Sequence, residues 1–340
     1  MHKQLPKGDK RIEGLPIKRI KNLAIKGGGV KGVAYVGAIQ ELDKAGLFNK
    51  IERVSGTSAG ALLAFMICAG YNVGKIKDLM MNDIDFKKFK TGWNPIRILT
   101  GYGLYSGKYI LDFVHKLLKD SPLNKNNPPA LHLTANSTFR DMKDAGCKHL
   151  YVFACNTSMH DVTEFSADNT PDVMVAEAIR ASMSIPYFFK AWQFSDKLLG
   201  DNKMEKMNIK DHIFIDGGVV YNYPLSFFDD ERFRPDGLLN DESIGLYLYT
   251  PGRTNKVRLQ FSQLFFFTKH LFESLLETQD YVILHDKEQL QRSIMIDDLQ
   301  IPATDFNITR DQLNGLIESG RQAAKKYIHN NNLLPPDEKI

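Results

Sequence analysis

Residues 56–60 read Gly-Thr-Ser-Ala-Gly, with the short strand-like run 51–55 before them and a longer, apolar run at 59–69 behind. The first run has the length of a buried strand and the second that of a helix, so the pentapeptide between them reads as a sharp strand-to-helix turn. Side chains flanking the serine in such a turn collide with neighbouring backbone, which accounts for the small Gly56, Ala59 and Gly60. Ser58 then stands at the apex, in front of a helix N-terminus whose unpaired N–H groups and partial positive charge suit a developing anion. The pentapeptide by itself also fits an ordinary tight turn, so the rest of the chain has to discriminate.

A second glycine loop precedes the first by one strand–helix unit. Gly27-Gly28-Gly29-Val30-Lys31-Gly32 follows the strand-like Leu23-Ala24-Ile25 and opens a helix with apolar positions at Val33, Val36, Ile39 and Leu42. A phosphate-cradling loop of the Walker type requires Lys-Ser/Thr at the last glycine, and Val33-Ala34 stand there instead. The dinucleotide fingerprint is met by Gly27, Gly29 and Gly32, yet the acidic ribose partner about twenty residues on is missing, because the second strand runs into the serine turn. The remaining reading is an oxyanion hole, in which backbone N–H groups of consecutive glycines face the neighbouring serine.

A serine hydroxyl needs a base. The run at 212–216 reads as an apolar strand ending in Asp216, followed by Gly217 and Gly218, which permit close backbone approach. An aspartate has an unperturbed pKa of about 3.9, so Asp216 acts as a base only if desolvation raises it. Asp-Gly-Gly also fits a plain turn. A Ser–acid–His triad is the rival, and it nominates His270, His285 or His329, with His212 close to Asp216 in sequence. None of these histidines sits in a glycine-rich strand-end loop; His270 falls in a helical run at 261–278 and His329 in a terminal Lys-rich helix.

Taken in order, the segments 27–32, 56–60 and 216–218 resemble the patatin-like phospholipase family. The small-residue and proline segment Ala181-Ser182-Met183-Ser184-Ile185-Pro186 and the continuation Val219-Val220-Tyr221-Asn222-Tyr223-Pro224 extend the likeness to roughly 20–228. The resemblance implies a three-layer α/β/α fold with a mostly parallel central sheet. It also implies a dyad of Ser58 as nucleophile and Asp216 as sole base, with Gly27, Gly28, Gly29 and Ala59 at the oxyanion hole. Lys31 would brace the first loop, and Gly32, Gly56, Gly60, Gly217 and Gly218 would support the motifs. The implied reaction is hydrolysis of carboxylic esters of phospholipids or lysophospholipids through an acyl-enzyme. It calls for no cofactor, no metal and no nucleic acid, and it names no protein activator. A catalytically idle lipid- or nucleotide-binding module is the alternative of a different class.

With 43% apolar and 25% charged residues in 340, the chain reads as one sizeable globular domain, 21–330, between a basic arm at 1–20 and a polar tail at 331–340. Residues 1–21 hold seven Lys/Arg against two acids, which exceeds the whole-chain net charge of +4 and leaves the body near neutral. Such an arm suits transient contact with anionic headgroups or is simply solvated. The charged start lacks the apolar core of a Sec-type signal, and no run is long enough to span a bilayer, so a cytoplasmic or membrane-peripheral location is expected. Cys68, Cys147 and Cys155 have no metal-ligand spacing and read as buried thiols of a reducing compartment. Phe86, Phe89, Trp93, Tyr102 and Tyr105 form an aromatic stretch that shapes an acyl groove or packs half-buried, and Ser106 reads as the N-cap of a helix at 109–118. Strands are expected at 151–156 and 245–249, a polar insertion at 196–210, an aromatic helix start at 261–267 belonging to the core or to an interface, and a closing helix from Asp311 to about Asn330.

Overall fold

The computed structural model describes residues 19–194, 211–234, 236, 239–251 and 264–333. The basic arm up to residue 18, the insertion at 196–210, residues 261–263 of the aromatic run and the tail from 334 lie outside the described residues.

Strands β1 (Asn22–Ile25), β2 (Arg53–Thr57), β4 (His149–Asn156), β5 (Asp161–Phe165), β7 (Phe214–Asp216), β8 (Ser243–Tyr249) and β9 (Ser293–Asp297) build the main sheet, and β3 (Gly103–Tyr105) pairs with β6 (Tyr187–Phe189) in a small parallel one. Across the main sheet the order is β5-β4-β2-β1-β8-β9; all neighbours are parallel except that β5 and β7 run antiparallel to β4. The mostly parallel sheet flanked by helices is the expected α/β architecture.

Alternation along the strands divides the core. Leu23, Ile25, Val54, Leu150, Val152, Leu246 and Leu248 pack on one face with helices α1 (Ala34–Lys44), α2 (Ala59–Cys68) and α7 (Arg310–Asn330). Ala24, Tyr151, Phe153 and Tyr247 point to the other face, where the segment 221–233 and the end of helix α6 (Leu264–Ile283) cover them. Helices α1 and α7 meet at their glycines: a Cβ on Gly37 would strike the Ile317 carbonyl, and one on Gly320 the Ala34 carbonyl.

Several boundaries differ from the sequence reading for local reasons. The strand expected at 51–55 begins at Arg53, and that at 212–216 is confined to Phe214–Asp216, because His212 precedes it with its ring bonded to the Asn156 amide at 2.9 Å. Helix α4 (Lys108–Lys119) is capped by Gly107 at φ 67°, not by Ser106, whose Oγ accepts only from Lys108 N at 3.3 Å. The buried Arg180 guanidinium occupies the space a side chain at 107 would need. Cys68 and Cys155 are buried, Cys147 is half-buried, and all three are free.

Candidate active site

The register of β4 brings Ser58 and Asp216 together. On one edge β4 pairs with β2 up to Thr57 opposite Phe153; the other edge carries β5 along 152–156. Strand β7 pairs with Ala154–Asn156 and must therefore take the edge β2 has just left, arriving from the opposite direction with Asp216 opposite Ala154. The two strands thus end tip to tip, with the serine turn at one tip and the aspartate at the other. Ser58 Oγ donates to Asp216 Oδ2 at 2.6 Å.

Ser58 holds φ 55° and ψ −125°, a sparsely populated conformation costing on the order of 1–3 kcal/mol for a side-chain-bearing residue. Its surroundings over-determine it. Ser58 N donates to Ser182 Oγ at 2.9 Å, Ser182 Oγ donates to the Phe153 carbonyl at 2.6 Å, and the Ser58 carbonyl accepts from Ala61 N at 2.9 Å. Gly56 and Gly60 face each other across the turn, and a Cβ on Gly60 would strike the Ile25 carbonyl, so the helix packs against β1 only with glycine there. Ser182 is the anchor of the turn. Ser182→Ala is expected to lower kcat by about 10- to 100-fold with KM little changed, because Ser58 is displaced while the cavities are kept. Steady-state kinetics beside a melting curve check this; an unchanged kcat removes Ser182 from the positioning role.

Asp216 is 1% exposed. Burial pushes its carboxyl up to about 7, against the opposing pull of hydrogen bonds from Ser58 and from Gly218 N at 2.8 Å and of the nearby Arg180 charge. Asp216 N donates to the Ser184 carbonyl at 2.9 Å. Arg180, fully buried, braces that segment by donating to Ser184 Oγ at 2.6 Å, the Lys190 carbonyl at 2.8 Å and the Ser106 carbonyl at 3.0 Å. Gly217 lies against the Phe153 carbonyl, too close for a Cβ.

The first glycine loop lies beside the serine. Gly27 N is already donated to the Asn222 carbonyl at 3.0 Å, so its amide is spent on position, whereas Gly28, Gly29 and Ala59 stand at the starts of helical turns, where N–H groups have no intrahelical acceptor. Gly29 takes φ 57° with its Cα against the Ala303 carbonyl, a double demand that only glycine meets. Gly32 packs on the Ala59 methyl. Lys31 braces the loop: its Nζ meets the buried Asp298 carboxylate at 2.7 Å.

Two cavities meet at Ser58. A cleft of about 340 Å³ is lined by Gly27–Gly29, Ser58, Asp216, Asn222 and polar side chains of α6. A narrow slot of about 30 Å³ is almost wholly apolar, with Leu62, Met80, Phe86, Phe89, Phe189 and Phe306 in its wall. The aromatic stretch therefore divides: Phe86 and Phe89 line the slot, Tyr105 packs on Phe188 at 4.7 Å between centroids, and Trp93 and Tyr102 are exposed.

Among the described residues no histidine bonds to Ser58 or Asp216. His212 faces Asn156, His285 Nδ1 bonds the Tyr281 carbonyl at 2.7 Å, and His329 is exposed at the end of α7. His270 lines the cleft and meets Glu273 at 3.2 Å. Sequence reasoning missed the individual parts of Arg180, Ser182 and Ser184, although the segment containing two of them was noticed. It also missed Gln279, whose amide accepts from Asn222 N at 2.9 Å and donates to the Gly218 and Val219 carbonyls at 2.8 and 3.1 Å, tying α6 to the aspartate loop. An isolated glutamine in a helix carries no pattern that would single it out.

The site thus brings a strained serine at a strand-to-helix turn directly against a buried aspartate, beside a glycine loop on an α/β sheet. The family model for patatin-like phospholipases matches residues 23–229, and the chain belongs to that family. It is 28% identical over 315 residues to YqhO of Bacillus subtilis (strain 168), covering 89% of this chain and 96% of that protein. It is 23% identical over 213 residues to the probable lipid hydrolase 463L of Invertebrate iridescent virus 6, covering 61% and 63% of the two chains. Among solved structures, VipD from Legionella pneumophila shares the fold with a TM-score of 0.58 at 16% identity, over 92% of this chain and 67% of that one. Among the described residues no helix is long and apolar enough to cross a membrane.

Proposed function

We propose that the protein hydrolyses carboxylic ester bonds of phospholipids or lysophospholipids through a Ser58–Asp216 dyad and an acyl-Ser58 intermediate. The observation that carries this is the 2.6 Å bond between Ser58 Oγ and a buried carboxylate at the junction of two cavities. Asp216 takes the hydroxyl proton as Oγ attacks the acyl carbon, and the resulting oxyanion is met by the N–H groups of Gly28, Gly29 and Ala59. As the tetrahedral species collapses, the C–O bond breaks and the proton on Asp216 passes to the departing alcohol. Water enters, gives its proton to Asp216 and releases the fatty acid, and that proton returns to Ser58. The apolar wall of the slot suits the acyl carbons nearest the ester, and the polar cleft the glycerol and headgroup, so the ester is set between them. Membership in a lipid-hydrolase family and the likeness to 463L support lipid as the substrate class.

Lipid mass spectrometry on mixed phospholipid vesicles incubated with wild type and Ser58→Ala tests the proposal and reports acyl position and headgroup together. Free fatty acid and the matching lysolipid, or the deacylated headgroup, are expected with wild type alone. Identical lipid profiles from both proteins would refute the reading.

A further inference from the structure

Helix α6 distributes its side chains in an unusual way for one that only packs on a core. Its inner side, with His270, Glu273, Glu277 and Asp280, lines the catalytic cleft, where Asp280 Oδ1 accepts from Lys26 Nζ at 2.5 Å and Tyr247 OH at 2.6 Å. Its outer side presents Phe267, Leu271, Leu275 and Val282, spaced four, four and seven residues apart and so forming one stripe. All four are exposed. Large contiguous apolar surface on a protein marks something that covers it.

A second exposed apolar group lies on elements linked to the helix through β6. Helix α6 packs against β6, whose exposed Tyr187 donates its N–H to the Tyr102 carbonyl at 3.1 Å, and Tyr102 closes the short helix α3 (Arg97–Gly101). There Trp93, Ile96 and Leu99 project at 62%, 68% and 83% exposure. This loop is pinned in place, with Asn94 N donated to the Leu104 carbonyl at 2.9 Å and Arg97 Nη1 to the Gly92 and Leu104 carbonyls. Residues 86–107 contain Lys87, Lys88, Lys90 and Arg97 and no Asp or Glu, in a chain whose bases and acids nearly balance, 44 against 40. Exposed Trp, Tyr and aliphatic side chains interspersed with Lys and Arg are the composition of a surface that lies at the headgroup boundary of anionic lipid.

We propose that the outer face of α6 and the 93–102 loop together form the surface by which the protein seats on an anionic phospholipid bilayer. The same helix that walls the cleft thereby meets the lipid, and Gln279 ties it to the aspartate loop. The choice of lipid over a protein partner rests on the proposed hydrolase reading; the test does not require turnover.

Flotation on vesicles of roughly three parts phosphatidylcholine to one of phosphatidylglycerol decides the matter, with Ser58→Ala as parent so that the vesicles stay intact. The parent is expected to float, less so on pure phosphatidylcholine or at high salt. Adding Trp93→Ala with Leu99→Asp, or separately Leu271→Asp with Leu275→Asp, is expected to reduce the bound fraction about tenfold or more. Trp93→Ala with Leu99→Asp in the active protein should keep hydrolysis of a water-soluble short-chain ester within about twofold, confirming an intact fold and dyad. A parent that fails to float, or variants that float like it, overturns the docking surface. So does concentration-dependent self-association, seen by sedimentation velocity and abolished by the same substitutions, which would assign the face to a second copy. Loss of soluble-ester hydrolysis in wild type strikes instead at the dyad reading, so the two failures are distinguishable.

Discussion

Ser58→Ala is expected to lower ester hydrolysis by at least about 10⁴-fold, since no second hydroxyl can replace a nucleophile whose removal eliminates the acyl-enzyme route. The fold should be nearly unaffected. Alanine enters the same strained backbone conformation, which Ser182 Oγ and the helix start hold irrespective of the side chain at 58. The main structural loss is one hydrogen bond to Asp216, worth about 1 kcal/mol for an ordinary pair and so about one to two degrees in Tm. A fluorophosphonate probe gives the complementary measurement: wild type should be labelled on the peptide containing Ser58, and the variant should not. Comparable turnover by a well-folded Ser58→Ala protein would end the nucleophile assignment.

The sequence made the motifs legible because each demands small residues at fixed offsets, and the backbone shows why: a Cβ at Gly60, Gly29 or Gly217 would strike a carbonyl oxygen of another segment. Strands β1, β4 and β8 were legible from apolar runs. The meeting of β2 and β7 on one edge of β4 was not, because it depends on each pairing separately with β4, Thr57 opposite Phe153 and Asp216 opposite Ala154, and periodicity carries no such information. The same limit hid Ser182, whose hydroxyl reaches Ser58 N across the chain, and Gln279. The aromatic stretches were ambiguous between core and surface for a related reason. Phe89 is buried in the slot while Trp93, four residues on, is exposed, and only tertiary packing distinguishes them. Ser106 looked like a helix cap because serine is a good one; Arg180, packed against Gly107, decided the turn instead.

Asp216→Asn is expected to be comparable in damage to loss of the serine, with kcat down by about 10⁴-fold. The change keeps the side chain's size, and its carbonyl oxygen can still accept from Gly218 N, so the loop should stay in place. What is lost is the ability to take a proton from Ser58. The pH dependence of wild type follows from the same group. Burial raises Asp216 to about 7, and the basic form exists only above that pKa, so kcat/KM should fall in a single-proton step as the pH drops through about 7. In a triad the aspartate would only orient an imidazole, and one histidine substitution would then be as severe as Ser58→Ala. With Ser58 bonded directly to Asp216, the His212→Ala, His285→Ala and His329→Ala proteins should retain activity within a fewfold of wild type. His270→Ala is the informative member of the set, because His270 lines the cleft beside Glu273. It should alter KM more than kcat, as loss of a substrate contact does, and leave the acid limb near 7. A folded His270→Ala protein as inactive as Ser58→Ala would replace the dyad with a triad.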